Sequence, residues 1–145
     1  MPLSLIRSLT VTQQLGYAGL LPFFATLLLY ASGVEQGLDL FVIYSVLILA
    51  FMAGACWGVG QVRPERRRTV ELVISIGVSL WALLMQFLPA MYALTGLLAG
   101  YWVLIWLERE PTFRYVYRAD YRYLRKVLTT VVSVCHLIML WLLLG

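Results

Sequence analysis

Apolar and charged positions in this chain are segregated into long blocks. Five stretches, 15–33, 40–60, 72–87, 90–107 and 127–144, contain no Asp, Glu, Lys or Arg and consist mainly of Leu, Val, Ile, Ala and aromatic residues. Continuous apolar runs of this kind, without period-2 alternation, predict membrane-crossing helices. At 1.5 Å per residue, 16 to 21 residues rise about 24–32 Å, close to a hydrocarbon core of about 30 Å. The third run is the shortest and needs its flanks or a locally thinned bilayer to cross. Positions 72–107 form one charge-free block of 36 residues. As a single helix it would be about 54 Å long, far more than one crossing needs. Gln86-Phe87-Leu88-Pro89 supplies the break, because proline suits the first turn of a new helix and restricts the residue before it. The expected architecture is therefore all-α: a single membrane domain over 1–145, a five-transmembrane-helix bundle. An interfacial amphipathic helix over 108–126 is expected before the last span.

Composition agrees with the pattern. Hydrophobic residues make up 62% and charged residues 12% of the chain, against about 25% charged in soluble domains. Mean hydropathy is +0.87. Too few polar side chains are left to furnish a water-facing surface, which argues against most soluble hydrolase chemistry and against nucleic acid as a partner. Net charge is +4, and its distribution matters more than its sign. Five crossings place the N-terminus, the 61–71 loop and the 108–126 segment on one side. These carry one, four and six of the eleven Lys and Arg residues, while the opposite loops carry none and hold Glu35 and Asp39. The positive-inside rule then puts the N-terminus in the cytoplasm and the C-terminus outside. Ala31-Ser32-Gly33 has the small residues of a signal-peptide cleavage site. However, Arg7 is the only basic residue ahead of the run, which is long and contains Tyr17 and Pro22, so a retained span is expected.

Small residues recur at helix-packing intervals: Ala50, Gly54 and Gly58 (with Trp57 beside them), Ser75 and Ser79, and Gly96 and Gly100. Such faces let backbones approach where lipid removes the hydrophobic drive between helices. Packing inside the bundle is the first expectation. The sharper one is a surface for another integral membrane protein or a second copy of the chain. In the 108–126 segment, Arg114, Arg118, Arg122 and Lys126 stand four apart as a basic stripe, beside an aromatic and apolar face of Phe113, Tyr117, Tyr121 and Leu124. The stripe serves topology and could also hold an anionic lipid headgroup such as cardiolipin.

Catalytic patterns are missing. No Ser–His–Asp spacing, glycine-rich phosphate loop or HExxH is present, and the spans as drawn carry none of the charges that mark proton relays or ion coupling. His136 is the one histidine, so a bis-histidine haem site cannot come from one copy, and an interhelical hydrogen bond is its expected role. Cys56 and Cys135 lie in apolar runs and are expected as free buried thiols. Glu108 and Glu110 sit among arginines and are expected in ion pairs. Trp57 and Trp81 are expected to lie deeper than the interfacial belts and to pack in the core, where an indole N–H needs a partner. No catalytic residue, metal ligand or cofactor is expected.

Three segments resemble a known family. Leu15-Gly16-Tyr17-Ala18-Gly19-Leu20-Leu21-Pro22-Phe23 fits an L-G-x-x-G-L-x-P-F opening helix. Phe51, Gly54, Trp57 and Gly58 meet most of an F-x-G-G-x-x-W-G second helix, and Tyr121, Leu124, Arg125, Leu128 and Thr129 meet a Y-x-x-L-R-x-x-L-T close. The chain thereby resembles a domain-of-unknown-function family (DUF3429) of proteobacterial multi-pass proteins that includes mitochondrial transmembrane protein 69. It departs from that pattern at Ala53, where glycine is common, and at Cys56, where histidine is frequent. The resemblance implies an integral protein of the bacterial inner membrane and no particular activity; with the charge asymmetry, the C-terminus is then expected in the periplasm. The function expected first is a non-enzymatic accessory or assembly protein for other membrane components. The alternative is a small transporter or oligomeric pore for a neutral or lipid-like solute, with a cavity lined by Tyr44, Ser45, Gln86 and Tyr101. A lipid-modifying enzyme ranks below both, for want of carboxylates and histidines where chemistry would need them.

Overall fold

The structure, a computed structural model, describes residues 11–62, 68–109, 117 and 119–145. Within these the regular elements are all helices: α1 (Val11–Ala18), α2 (Leu21–Ala31), α3 (Gln36–Val62), α4 (Arg68–Met85), α5 (Ala90–Leu107) and α6 (Ala119–Leu144). Among the described residues four segments are long and apolar enough to cross a membrane: Val11–Ala31, Gln36–Gln61, Ala90–Leu107 and Ala119–Leu144. Thr69–Met85 is apolar but shorter than these four.

The first span is broken at Gly19-Leu20, just before Pro22 in the first turn of α2. Proline lacks an N–H and cannot continue the helical ladder. The Gly19 carbonyl at the break accepts a hydrogen bond from the Tyr44 hydroxyl at 2.6 Å, so a neighbouring helix satisfies it. The other end of α2 closes in a Schellman turn. Val34 N–H donates to Leu29 O at 2.9 Å and Gly33 N–H to Tyr30 O at 3.1 Å, with Gly33 at φ +98°. Only glycine takes that conformation without steric cost. At Gly37 a Cβ would stand 2.6 Å from Tyr30 N and 2.7 Å from Thr26 O, so α3 leaves the turn in backbone contact with α2. The hairpin expected at Pro89 is present. There α4 ends at Met85, Pro89 caps α5 with ψ 150°, and the Pro89 carbonyl accepts the Ala93 N–H at 2.9 Å.

Helix α3 is central, packing on α2, α4 and α5, while α6 closes the bundle against α1, α2 and α5. Phe23, Phe41, Leu49, Leu94, Leu97, Leu104 and Met139 form the fully buried apolar core. Leu28, Phe51, Leu80, Phe87, Trp106 and Trp141 point outward. An exterior this apolar suits lipid and would be a large exposed patch in water.

The last helix differs from expectation. It begins at Ala119, so Ala119–Lys126 form its first two turns and not a separate interfacial helix; residues 110–116 and 118 lie outside the described residues. A span drawn from the charge-free run starts too late. The apolar helix in fact carries Asp120, Arg122, Arg125 and Lys126 at its N-terminal end, and Arg125 is buried there.

Candidate functional site

Among the described residues two polar clusters inside the bundle are anchored on the inner face of α3. The first is a hydroxyl–imidazole cluster at mid-bundle. His136 Nδ1 stands 2.7 Å from Val132 O, and a carbonyl can only accept, so Nδ1 carries the proton. In the neutral ring Nε2 is then the acceptor, and Ser45 Oγ donates to it at 2.7 Å. The Tyr101 hydroxyl donates to Ser45 O at 2.9 Å and lies 3.2 Å from Ser45 Oγ. Rings surround the imidazole: the Phe41 centroid is 4.9 Å away and that of Tyr101 5.5 Å, both edge-on. Every hydrogen-bonding group of this cluster is used across three helices, which matches the interhelical role expected of His136. The Ser–His contact has the spacing of a nucleophile–base pair, and both residues are fully buried. The four residues expected to line a transport cavity are not gathered around one of the cavities. Ser45 and Tyr101 are packed into the core, Tyr44 is bonded to Gly19, and Gln86, the fourth, is exposed in the α4–α5 turn.

The second cluster closes one end of the bundle. Arg125 is 2% exposed and forms an ion pair with Glu108, which follows the last residue of α5. Its guanidinium also donates to the Tyr121 hydroxyl at 3.2 Å and to Met52 O at 3.3 Å. The Arg125 Cζ lies 5.4 Å from the Tyr117 ring centroid and 5.7 Å from that of Tyr121. Those two rings meet edge-to-face at 4.8 Å. Burial raises the Tyr117 phenol above its ordinary value. Cys56 Sγ lies 3.8 Å from Glu108 Oε1. A buried thiol thus lies against the ion pair. A buried arginine is tolerated only when its charge is paired and its N–H groups are largely used. Cys135 is also a buried free thiol.

The small residues expected to act together divide into two environments. Gly96 and Gly100 are buried. Trp81 Nε1 donates to Gly96 O at 2.7 Å, and a Cβ on Gly100 would approach Leu49 Cδ2 at 2.7 Å. Gly54 and Gly58 are exposed, and a Cβ on either would meet nothing within 4 Å. Ala50 is half-buried and Trp57 is exposed. The reason is rotational. At 100° per residue, Phe41, Ser45, Leu49, Met52 and Cys56 share the inner stripe of α3, and Gly54 lies about 180° from Ser45. Ser75 is buried and Ser79 half-buried on α4, and each hydroxyl donates to the carbonyl four residues back.

Of the expected basic stripe, Arg114 and Arg118 lie outside the described residues. Arg122 and Lys126 line a pocket between α5 and α6, together with Glu108 and Arg109. Glu108, Arg109 and Arg125 were no part of the expected site. Arg125 stood in the closing motif, but a motif position does not tell a buried arginine from a surface one.

A family model described as "Protein of unknown function (DUF3429)" matches residues 10–141. No curated protein and no solved structure matches the chain.

Proposed function

The chain belongs to the DUF3429 family of proteins of unknown function, and from that premise we propose that it is a non-enzymatic accessory protein of the bacterial inner membrane, docking a helix of another integral membrane protein on the outer face of α3. The observation that carries this reading is the environment of Gly54 and Gly58. Glycine inside a helix costs about 0.5–1 kcal/mol relative to alanine. At Gly100 the close approach of Leu49 offsets that cost, whereas at Gly54 and Gly58 nothing among the described residues does. Leu47 and Phe51 flank the two glycines on the same outward face, and Phe51 is 74% exposed. Small residues bordered by large apolar ones form the surface that a second membrane helix packs against.

In this reading the chain crosses the membrane five times, with a cytoplasmic N-terminus and a periplasmic C-terminus. The support is the one-sided distribution of basic residues and the packing of α4 against both α3 and α5. Reporters fused after Gly145 and between Gln61 and Arg68 should lie on opposite sides of the membrane; the same side for both would remove the fifth crossing. For docking, photo-crosslinking residues placed at Phe51 and at Leu83, an exposed position on α4, are compared in native membranes. A discrete adduct from position 51 alone, lost in Gly54→Leu/Gly58→Leu, is the expected result. An adduct of twice the chain mass would replace the heterologous partner with a second copy. No adduct from position 51 would end the reading.

A further inference from the structure

Between the C-terminal end of α5 and the first turns of α6 lies a pocket of about 400 Å³. Arg109, Arg122 and Lys126 line its charged side, and Trp102 and Ile105 form its apolar wall. Glu108 also borders it, but its carboxylate is engaged by Arg125, so the pair leaves the three remaining cations uncompensated. Among the described residues none of those three enters an ion pair.

The hydrogen-bonding pattern points to an occupant independently of the charge. Thr26, Thr95, Thr130 and Ser133 each donate to the carbonyl four residues back, as hydroxyls in helices ordinarily do. Thr129, which lines the pocket and is 2% exposed, does not: its Oγ1 is buried with no hydrogen-bond partner among the described residues. Nε of Arg122, also on the pocket, is in the same condition. Native structures leave few buried polar atoms unpaired, and such atoms are often completed by a water or an ion. Both groups can act as donors, and three uncompensated cations surround them. Together they call for an anion with several acceptor oxygens. Phosphate meets that need, with arginine supplying directed N–H donors and lysine a point charge.

We infer that this pocket binds the phosphate of an anionic lipid headgroup. The position favours a lipid over a soluble phosphate. Trp102 and Trp106 are exposed at this end of α5, where tryptophan marks headgroup depth, and the apolar wall of Trp102 and Ile105 gives acyl chains a path along the helix. The site departs from the evenly spaced stripe that the sequence suggests. It draws one cation from the end of α5 and depends on an uncharged threonine.

The test uses the full chain in phosphatidylcholine nanodiscs doped with phosphatidylglycerol, with retained phosphatidylglycerol measured by native mass spectrometry. Arg122→Gln/Lys126→Gln should lower its retention about 30-fold. Thr129→Val, which keeps the side chain's shape and leaves net charge unchanged, should lower it about fivefold. Arg66→Gln/Arg67→Gln removes the same charge from the α3–α4 loop and should change it less than twofold. Equal losses in the two double variants, or full retention in Thr129→Val, would reduce the effect to general surface charge and overturn the inference. A thermal-unfolding profile of Thr129→Val that matches wild type confirms that the comparison is made on folded protein. Inorganic phosphate at millimolar concentration is the last arm. No displacement of phosphatidylglycerol supports the lipid, whereas displacement from wild type assigns the pocket to free phosphate and overturns the lipid source.

Discussion

Helix α3 presents two faces with opposite fates. Its inner face meets a specific partner at every turn: Ser45 bonds His136, Leu49 fills the space above Gly100, the Met52 carbonyl takes an Arg125 N–H, and Cys56 lies against Glu108. Its outer face carries Leu47 and Phe51, both exposed, and Gly54 and Gly58, beside which no other described residue comes within reach of an added Cβ. Both faces are apolar or small in sequence, and both contain four-residue spacing of small side chains or partners. The difference teaches that such spacing marks a surface able to pack and does not say against what. Within the bundle the polar atoms decide. Ser45, Tyr101, His136, Arg125 and Glu108 cannot be left facing hydrocarbon, so they turn one side of α3 inward and the glycines follow the remaining face outward.

Three substitutions can break that contrast, and the largest effect is expected at the ion pair. Arg125→Met strands Glu108 and removes the donor to Met52 O, and should cost about 3–5 kcal/mol, read as the greatest fall in thermal stability in detergent. A small loss there would mean that the pair is solvated and that the inner face is held by apolar packing alone. Gly100→Leu comes next. It drives a side chain into Leu49 and should destabilise by about 1–3 kcal/mol on the same scale. Gly58→Leu is the matched control, with the same substitution on the opposite face of the bundle's central helix. It should change the stability of the isolated protein by less than about 0.5 kcal/mol. A fall at Gly58→Leu comparable to that at Gly100→Leu would erase the distinction between the faces and undercut the docking reading.

Much of the framework was legible beforehand. The turn at Pro89 follows from one proline in an overlong apolar run, whereas 15–33 reads as one continuous span and its break near Pro22 appears only in the structure. The indole of Trp81 needed an acceptor and has one in Gly96 O. The hidden features are those that need two distant segments at once. No local rule pairs Arg125 with Glu108, because 17 positions separate them and the segment between is polar. Reading spans as charge-free runs excluded Arg125 from the bundle, although a paired arginine can be carried inside. Arg109 looked like one more topology charge, and Thr129 like one more helical hydroxyl, until α5 and α6 were seen to share a pocket.

By itself the sequence determined that this is an all-helical membrane protein, that its long apolar run turns at Pro89, and on which flanks its basic residues gather. Those properties come from the cost of exposing backbone and charge to hydrocarbon, which each segment meets on its own. Only the tertiary structure decided which side of α3 faces inward, which glycine pair is filled, and which cations are neutralised and which are left open. Those outcomes depend on helix rotation and on contacts between residues far apart in the chain. A rotation of 180° leaves the local pattern unchanged, while it alters every partner that the helix meets.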